Sequence, residues 1–282
     1  MKVLIITIAL ILSIGTAQAE ILFHDPTRET VETAFDQLTE KEVKDVSPPN
    51  VSKKQYLLGL LYVNGDEEFH VEKNCQKAVE LLTKSWKADI ADAGHALATM
   101  YYHGVCVERN IDKARELATE TAEDGFILAQ RMLGLAYVSE KWEELYPYDV
   151  GKGIYWLSKA GNSGDSVASG ELSYIYIEGV GVPQDDKKYF YWLNKSIFTK
   201  YEEGNIAGFP ALAKSYENGK GTEKDLLKAY KYFDLSGTAG VKGKQRISKQ
   251  MTQEQIDEAV RQSQAWQEEH NVQIGGGWIQ YK

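Results

Sequence analysis

The chain has 282 residues, of which 43% are hydrophobic and 26% are charged, so it can bury a large core and is not disordered throughout. Its formal net charge of −9 argues against a nucleic-acid groove or an anionic-membrane patch, because both need clustered Lys and Arg. Two cysteines are too few for a disulfide scaffold or a four-cysteine zinc site.

Residues 1–19 have the pattern of a secretory signal peptide. Lys2 supplies a positive start, residues 3–14 are almost wholly apolar, and Ala17-Gln18-Ala19 is a small-x-small cleavage site. The apolar run is too short to span a bilayer, and Glu20 stands where a lipoprotein would carry its cysteine. We therefore expect cleavage after Ala19, no membrane anchor in the mature chain, and a periplasmic or secreted location.

A capping helix and linker are predicted over residues 20–51. An apolar stripe with helical spacing lies within residues 27–43, at Val31, Ala34, Phe35 and Leu38. The Ser47-Pro48-Pro49-Asn50 run then ends this helix. An unpaired helix here would cover the first unit of the array that follows.

Residues 52–245 contain five copies of one pattern. Each copy has a leucine, then a small residue, then a tyrosine four positions after the leucine; the tyrosines are Tyr62, Tyr101, Tyr137, Tyr176 and Tyr216. A lysine follows each tyrosine by 12 or 15 residues, at Lys77, Lys113, Lys152, Lys188 and Lys228. Two anchors that keep their phase over five copies predict a repeat array, with two helices in each copy. A glycine three residues after the tyrosine ends the first helix in every copy except the third, which has Glu140.

The pattern resembles that of Sel1-like repeats, and the fourth copy carries it best, through Tyr176, Gly179, Gly181, Val182, Asp185 and Trp192. The resemblance covers about residues 52–245. It implies an all-α fold, an α/α solenoid in which about five helix-turn-helix repeats form a right-handed superhelix. Tetratricopeptide repeats fit less well because their period is about 34 residues. The resemblance is specific for the fold and nearly silent on function.

Residues 246–282 read as a C-terminal capping helix followed by a glycine-rich tail. Thr252 and Gln255 form a capping box, and the helix has one face made of Ile256, Ala259, Val260, Ser263 and Trp266. The tail after Gly275-Gly276-Gly277 is aromatic, and the sequence leaves open whether it docks or is disordered. We expect no β-sheet anywhere in the protein.

No catalytic, metal-binding or cofactor-binding residues are predicted. The chain lacks the Ser-x-x-Lys, His-Glu-x-x-His, Cys-x-x-Cys and phosphate-loop patterns. Gly164-Asp165-Ser166 is similar to a block found in certain lipases, but its position between two copies favours helix capping. His95 and His103 are eight residues apart and could share a helix face, which is more typical of surface than of a metal site.

Cys75 and Cys106 lie at the same edge of neighbouring copies. Cys75 begins a second helix, and Cys106 lies in the connection that joins the next pair of helices. In an oxidising compartment this placement predicts a disulfide. The alternative is two thiols that loop geometry keeps apart.

The partner-binding surface is predicted on two positions of each first helix that escape the repeat pattern, two residues before the tyrosine and one after it. We call these positions the variable face. They are three residues apart and so share a face of the helix, and apolar or aromatic residues there predict partner binding at Tyr102, Leu135, Val138, Tyr174 and Ile177. Alternatively, these side chains pack against a neighbouring helix. Acidic runs at residues 66–68 and 143–144 are solvated loops or a second surface for a basic partner.

Three classes of function remain open. The first is a periplasmic or secreted protein-interaction module without catalytic activity, and the resemblance adds a sharper form, an immunity protein that neutralises a periplasmic phospholipase effector. The second is a cell-envelope enzyme or a β-lactam-binding protein. The third is a secreted factor that binds host proteins. We expect a monomer whose partner is another protein and not a nucleic acid.

Overall fold

The computed structural model describes residues 19–27, 41, 51–201, 206–275 and 278–281. Within these residues five antiparallel helix pairs stack in chain order, which confirms the predicted all-α solenoid. The predicted helix over residues 27–43 lies outside the described residues, apart from Thr27 and Lys41. The pairs are α1 (Val51–Asn64) with α2 (Cys75–Trp86), α3 (Ala91–His103) with α4 (Ile111–Glu123), α5 (Ile127–Val138) with α6 (Val150–Asn162), α7 (Ser166–Glu178) with α8 (Asp186–Ile197), and α9 (Phe209–Asn218) with α10 (Leu226–Leu235).

The tyrosine and lysine anchors close the connection inside each pair. The tyrosine carbonyl oxygen accepts a hydrogen bond, 2.9–3.0 Å long, from the backbone N–H of the Asn or Asp that caps the second helix. The side chain of that cap accepts the N–H of the lysine three residues later. In four pairs the lysine ammonium also lies 4.9–5.5 Å from the centre of the tyrosine ring. In the second pair Lys113 contacts Glu116 instead.

The small residue after each leucine allows the two helices of a pair to approach closely. A Cβ atom added to Gly134 would lie 2.6 Å from Cγ of Leu157, on the second helix of the same pair. The equivalent distance from Gly59 to Leu82 is 2.9 Å. Both distances are well inside van der Waals contact, so packing demands glycine at these two positions.

The N-terminal segment, residues 19–24, lies against the first two pairs. Glu20 N–H donates to the Asp89 carbonyl (2.7 Å), and Ala91 N–H donates to the Glu20 carbonyl (3.0 Å). The buried Asp92 carboxylate, in the first turn of α3, accepts the N–H groups of Leu22 (2.8 Å) and Phe23 (3.1 Å). The apolar side chains of the segment pack on the core of the first pairs.

The C-terminal end is covered by α11 (Val241–Ile247) and α12 (Gln253–Glu269). The predicted capping box between Thr252 and Gln255 begins α12. The predicted face of this helix turns inward: Ala259 and Ser263 are buried, and the Trp266 ring lies 5.2 Å from that of Phe209.

The expectation that the protein has no β-sheet was wrong. Strands β1 (Val272–Gly275) and β2 (Trp278–Tyr281) pair in antiparallel fashion, with Gly275 opposite Trp278. Two residues separate the strands, a length that suits a hairpin. The Ile274 N–H donates to the Gln267 side chain (2.7 Å), which ties the hairpin to α12. The tail therefore docks, an outcome that the sequence left open.

Candidate functional site

The structure divides the variable face into two rows that differ in exposure. The row two residues before each tyrosine is the more open one, because Thr99, Tyr174 and Lys214 are exposed while Leu135 is half-buried. The row one residue after each tyrosine is half-buried throughout, and its members are Val63, Tyr102, Val138, Ile177 and Glu217. The five predicted partner-binding residues therefore do not form one uniformly exposed patch.

Contacts between structural elements explain the burial of the second row. Tyr102 stacks on Trp142, which comes from the connection of the next pair, with ring centres 5.0 Å apart. The guanidinium of Arg109 lies 5.6 Å from the same tyrosine ring and pairs with Glu144 at 2.8 Å. Glu217 accepts two hydrogen bonds of 2.7 Å from Arg246 of the C-terminal cap. At Tyr102 and Glu217, therefore, the side chains pack against neighbouring elements, which is the alternative to partner binding.

On α7, Tyr174 of the open row lies on the same helix face as a second exposed apolar side chain. Tyr174 is 54% exposed and Val167 is 51% exposed, and a Cβ added to Gly170 would meet no atom within 4 Å. Positions 167, 170 and 174 have the spacing of one helix face. We call this surface, made of Val167, Gly170 and Tyr174, the exposed α7 face. Glu171 lies next to it, and burial raises the pKa of its carboxyl group.

Polar groups near this face are fixed by contacts between pairs. Arg131 donates to the buried carboxylate of Asp165 at 3.0 Å, and Asp165 also accepts the Ala168 N–H at 2.7 Å and so caps α7. The lipase-like block is therefore a helix cap, as its position suggested.

Burial and the charge of Arg131 lower the pKa of His95 to about 4, so His95 is neutral at pH 7. His103 is exposed at the end of α3.

A disulfide joins Cys75 and Cys106, the pairing that the sequence predicts. Cys106 has a positive φ of 61° and occupies the position that Gly181 and Gly221 hold in later copies. At those glycines an added Cβ would collide with the first residue of the preceding second helix, Val150 or Asp186. The disulfide thus joins neighbouring pairs at the place where these glycines bring later pairs into close contact.

The two acidic loops differ in how their charges are used. In the first, residues 64–67 and 70–72 line an open cavity of about 620 Å³, and the Asp66 side chain accepts the Phe69 N–H. In the second, Glu144 pairs with Arg109, and Arg115 donates to the carbonyl groups of Glu144 and Leu145. The second loop is therefore held against the second pair, and no variable-face residue lines the cavity.

Sequence reasoning missed two exposed tyrosines on the second helices. Tyr155 is 52% exposed and Tyr191 is 49% exposed, and they occupy equivalent positions in successive pairs. The Tyr191 hydroxyl donates to the Asn162 side-chain oxygen at 3.4 Å. The signal was present, because each tyrosine directly precedes the buried tryptophan of its helix. These residues offer a second aromatic surface, which belongs to other helices than the exposed α7 face.

Stacked helix pairs with an open apolar face define a repeat solenoid of the protein-binding class. Across the described ranges there is no helix with the length and apolar character to cross a bilayer, and no group of three or more His, Cys, Asp or Glu arranged to hold a metal ion. The chain belongs to the Sel1 repeat family, since the Sel1 repeat matches five segments that cover more than half of it, at residues 55–87, 91–126, 127–165, 167–197 and 211–241. It is a Sel1-repeat protein-interaction module.

Two solved structures share the fold. The c5321 protein, a protective antigen present in uropathogenic Escherichia coli strains, is 28% identical with a TM-score of 0.54, and the match covers 78% of this chain and 46% of that one. A Sel1 repeat protein from Oxalobacter formigenes is 24% identical with a TM-score of 0.55, over 79% of this chain and 59% of that one. The chain thus spans about half the length of these two structures. Immunity protein Pa5087 from Pseudomonas aeruginosa aligns less well, at 17% identity and a TM-score of 0.39, over 80% of this chain and 84% of that one.

Proposed function

We propose that the protein is an extracytoplasmic binding module without catalytic activity, and that its protein partner contacts the exposed α7 face. One observation carries the proposal: Tyr174 and Val167 are each about half exposed on one face of a first helix, with open space at Gly170 between them. Exposed apolar surface of this kind marks a partner site, and tyrosine is a favoured anchor residue. Of the other predicted residues, Leu135, Val138 and Ile177 are half-buried, and Tyr102 is covered by Trp142.

The location outside the cytoplasm is supported by two features of this chain. Residues 1–19 have the pattern of a signal peptide, and a disulfide joins Cys75 and Cys106. The finer form of the proposal is an immunity protein for a periplasmic phospholipase effector, which the acidic net charge and the single repeat domain suit.

Site-specific photo-cross-linking tests the proposal directly. A photoreactive phenylalanine analogue replaces Tyr174 in one variant and Tyr155 in a matched control, because the two tyrosines are equally exposed on different helices. Irradiation of cells that secrete each variant should give a protein adduct from position 174 and none from position 155. Adducts from position 155 alone would move the partner to the second helices and contradict the proposal.

Alanine variants then separate binding from stability. Tyr176 is only 8% exposed, so Tyr176→Ala should cost about 3 kcal/mol of folding free energy. Tyr174→Ala should melt as wild type yet weaken binding of the cross-linked partner by about 2 kcal/mol. Protection of cells against a co-produced phospholipase effector, lost in Tyr174→Ala, would support the immunity form. An early melt of Tyr174→Ala would place that residue in the core.

A further inference from the structure

The exposed α7 face is bordered by negative charge and by no positive charge of its own helix. Helix α7 contains two acidic residues, Glu171 and Glu178, and no lysine or arginine. Glu171 is three residues before Tyr174 and Glu178 is four residues after it, so both carboxylates lie on the same side of the helix as that tyrosine. A partner that covers Tyr174 therefore also approaches these two carboxylates.

The Glu171 carboxylate forms no ion pair with the described part of the chain. It is half-buried, and the residues at the equivalent positions of the neighbouring first helices are apolar, Met132 on α5 and Ala211 on α9. Burial raises the pKa of its carboxyl group, and no charged group of the described ranges counteracts this effect. A partly desolvated carboxylate without a partner costs free energy, which a cation placed beside it would offset.

The basic residues of the two neighbouring first helices act on other carboxylates. Arg131, the one basic residue of α5, donates to Asp165 at 3.0 Å. Hydrogen bonds from Arg246 lower the pKa of the Glu217 carboxyl group, and the charge of Lys214, the one basic residue of α9, adds to the effect. The charge of Glu171 is therefore left for a partner to compensate.

The Tyr174 ring lacks the cation that the exposed tyrosines of the second helices have. Tyr155 and Tyr191 are each followed four residues later by a lysine, whose ammonium group lies 4.8 Å or 5.5 Å from the ring centre. The residue four positions after Tyr174 is Glu178, and within the described ranges no lysine or arginine lies over the Tyr174 ring. Because a cation is attracted to the face of a tyrosine ring, the ring and the nearby carboxylate offer two contacts to one positively charged side chain.

We propose that the partner places a lysine or arginine side chain on Glu171 and Tyr174, so that the segment docked on the exposed α7 face is basic. The inference rests on the proposed partner surface and adds the chemistry of the partner. The cation pairs with the carboxylate, and its methylene groups cover the tyrosine ring. An apolar residue next to it fills the space at Gly170 and contacts Val167. The net charge of −9 on this chain favours the encounter with a basic segment.

Photo-cross-linking at position 167 tests the inference, because Val167 lies on the face while its replacement leaves Glu171 and Tyr174 in place. The photoreactive phenylalanine analogue at position 167 is combined with Glu171→Gln or Glu171→Lys, and the adduct yield is measured in cells that secrete each variant at a low level, where yield follows occupancy. The yield should fall about tenfold with Glu171→Gln, which loses a charge-assisted contact. It should fall about a hundredfold with Glu171→Lys, which sets like charges against each other.

A matched control separates this contact from a general change in charge. Glu120 is an exposed carboxylate on α4, a second helix, so Glu120→Lys makes the same change in charge and should leave the yield at that of the parent. Thermal melts of the purified variants show that each is folded. Mass spectrometry of the adduct should find a lysine or arginine in the partner fragment joined to position 167. Exchanging that residue for glutamate should restore the adduct of Glu171→Lys.

The outcomes distinguish this inference from the partner surface on which it rests. A yield that Glu171→Lys leaves unchanged, a partner fragment without lysine or arginine, or an adduct with a second copy of this chain would overturn the basic partner. The partner surface would still stand in these cases if position 174 gives its adduct. If neither position 167 nor position 174 gives an adduct, the partner surface fails and the basic partner fails with it.

Discussion

Substituting alanine for glycine should have opposite effects on stability at two positions on first helices. Gly134→Ala adds a methyl group 2.6 Å from Leu157 Cγ and 2.9 Å from the Leu157 backbone nitrogen. Ordinary contact begins near 3.4 Å, so the two helices of the third pair would have to separate by most of an ångström. Gly170→Ala adds the same group where no atom lies within 4 Å.

The magnitudes follow from two opposing effects. Alanine is favoured over glycine inside a helix by about 1 kcal/mol, and both variants gain this. Overpacking costs about 1–3 kcal/mol, and only Gly134→Ala pays it. Gly170→Ala should therefore be more stable than wild type by about 1 kcal/mol, and Gly134→Ala less stable by about 1 kcal/mol.

Urea unfolding followed by far-UV circular dichroism measures both changes. The midpoint should rise for Gly170→Ala and fall for Gly134→Ala, with the slope unchanged. If the two variants share one midpoint, close approach of the helices does not explain the small residue of the repeat, and the packing argument fails.

Three further predictions rest on single contacts. Replacing both cysteines should lower the free energy of unfolding by about 3–4 kcal/mol, because the disulfide closes a loop of 31 residues. In thermal melts, Cys75→Val with Cys106→Gly should lose less stability than Cys75→Ser with Cys106→Ser, because glycine tolerates the positive φ of Cys106. Asp92→Ala should speed hydrogen exchange at the backbone of residues 22 and 23 and destabilise by about 1–3 kcal/mol; unchanged exchange would deny its role. Arg246 lowers the pKa of the Glu217 carboxyl group. The stabilisation from this ion pair is therefore present above the unfolded-state pKa of 4.5 and is lost as the pH falls. Urea unfolding at a series of pH values should show a smaller loss of stability in acid for Glu217→Gln than for wild type.

The fold could be predicted because its anchors act locally. Tyr176 and Lys188, for example, meet within one connection through the cap at Asp185, so their spacing in sequence reports the structure directly. The same is true of the capping box at Thr252. Each copy then stacks on its neighbour in the same way, so the signals from the five copies reinforce one another.

The site could be predicted only in part because exposure depends on irregular neighbours. Tyr102 and Tyr174 both lie on the variable face, in different rows, yet Trp142 covers Tyr102 from a connection that lacks the usual glycine, whereas Tyr174 is exposed. The N-terminal segment was missed for a similar reason, since its partner Asp92 has apolar residues at the equivalent positions of later copies. Contacts that occur once in a repeat protein leave no periodic signal.

The hydrogen bond between each tyrosine and its cap also allows the connection between them to change in length without changing how the helix pairs stack. Tyrosine and cap are 12 residues apart in the first and third copies and 9 in the others, yet the hydrogen bond that joins them is the same. By loop-closure entropy the longer connections cost only about 0.3 kcal/mol more. The tip of the first connection, at Glu67 and Glu68, is exposed, so an epitope or a fluorophore-binding tag inserted there would report on the protein in living cells without shifting a single helix.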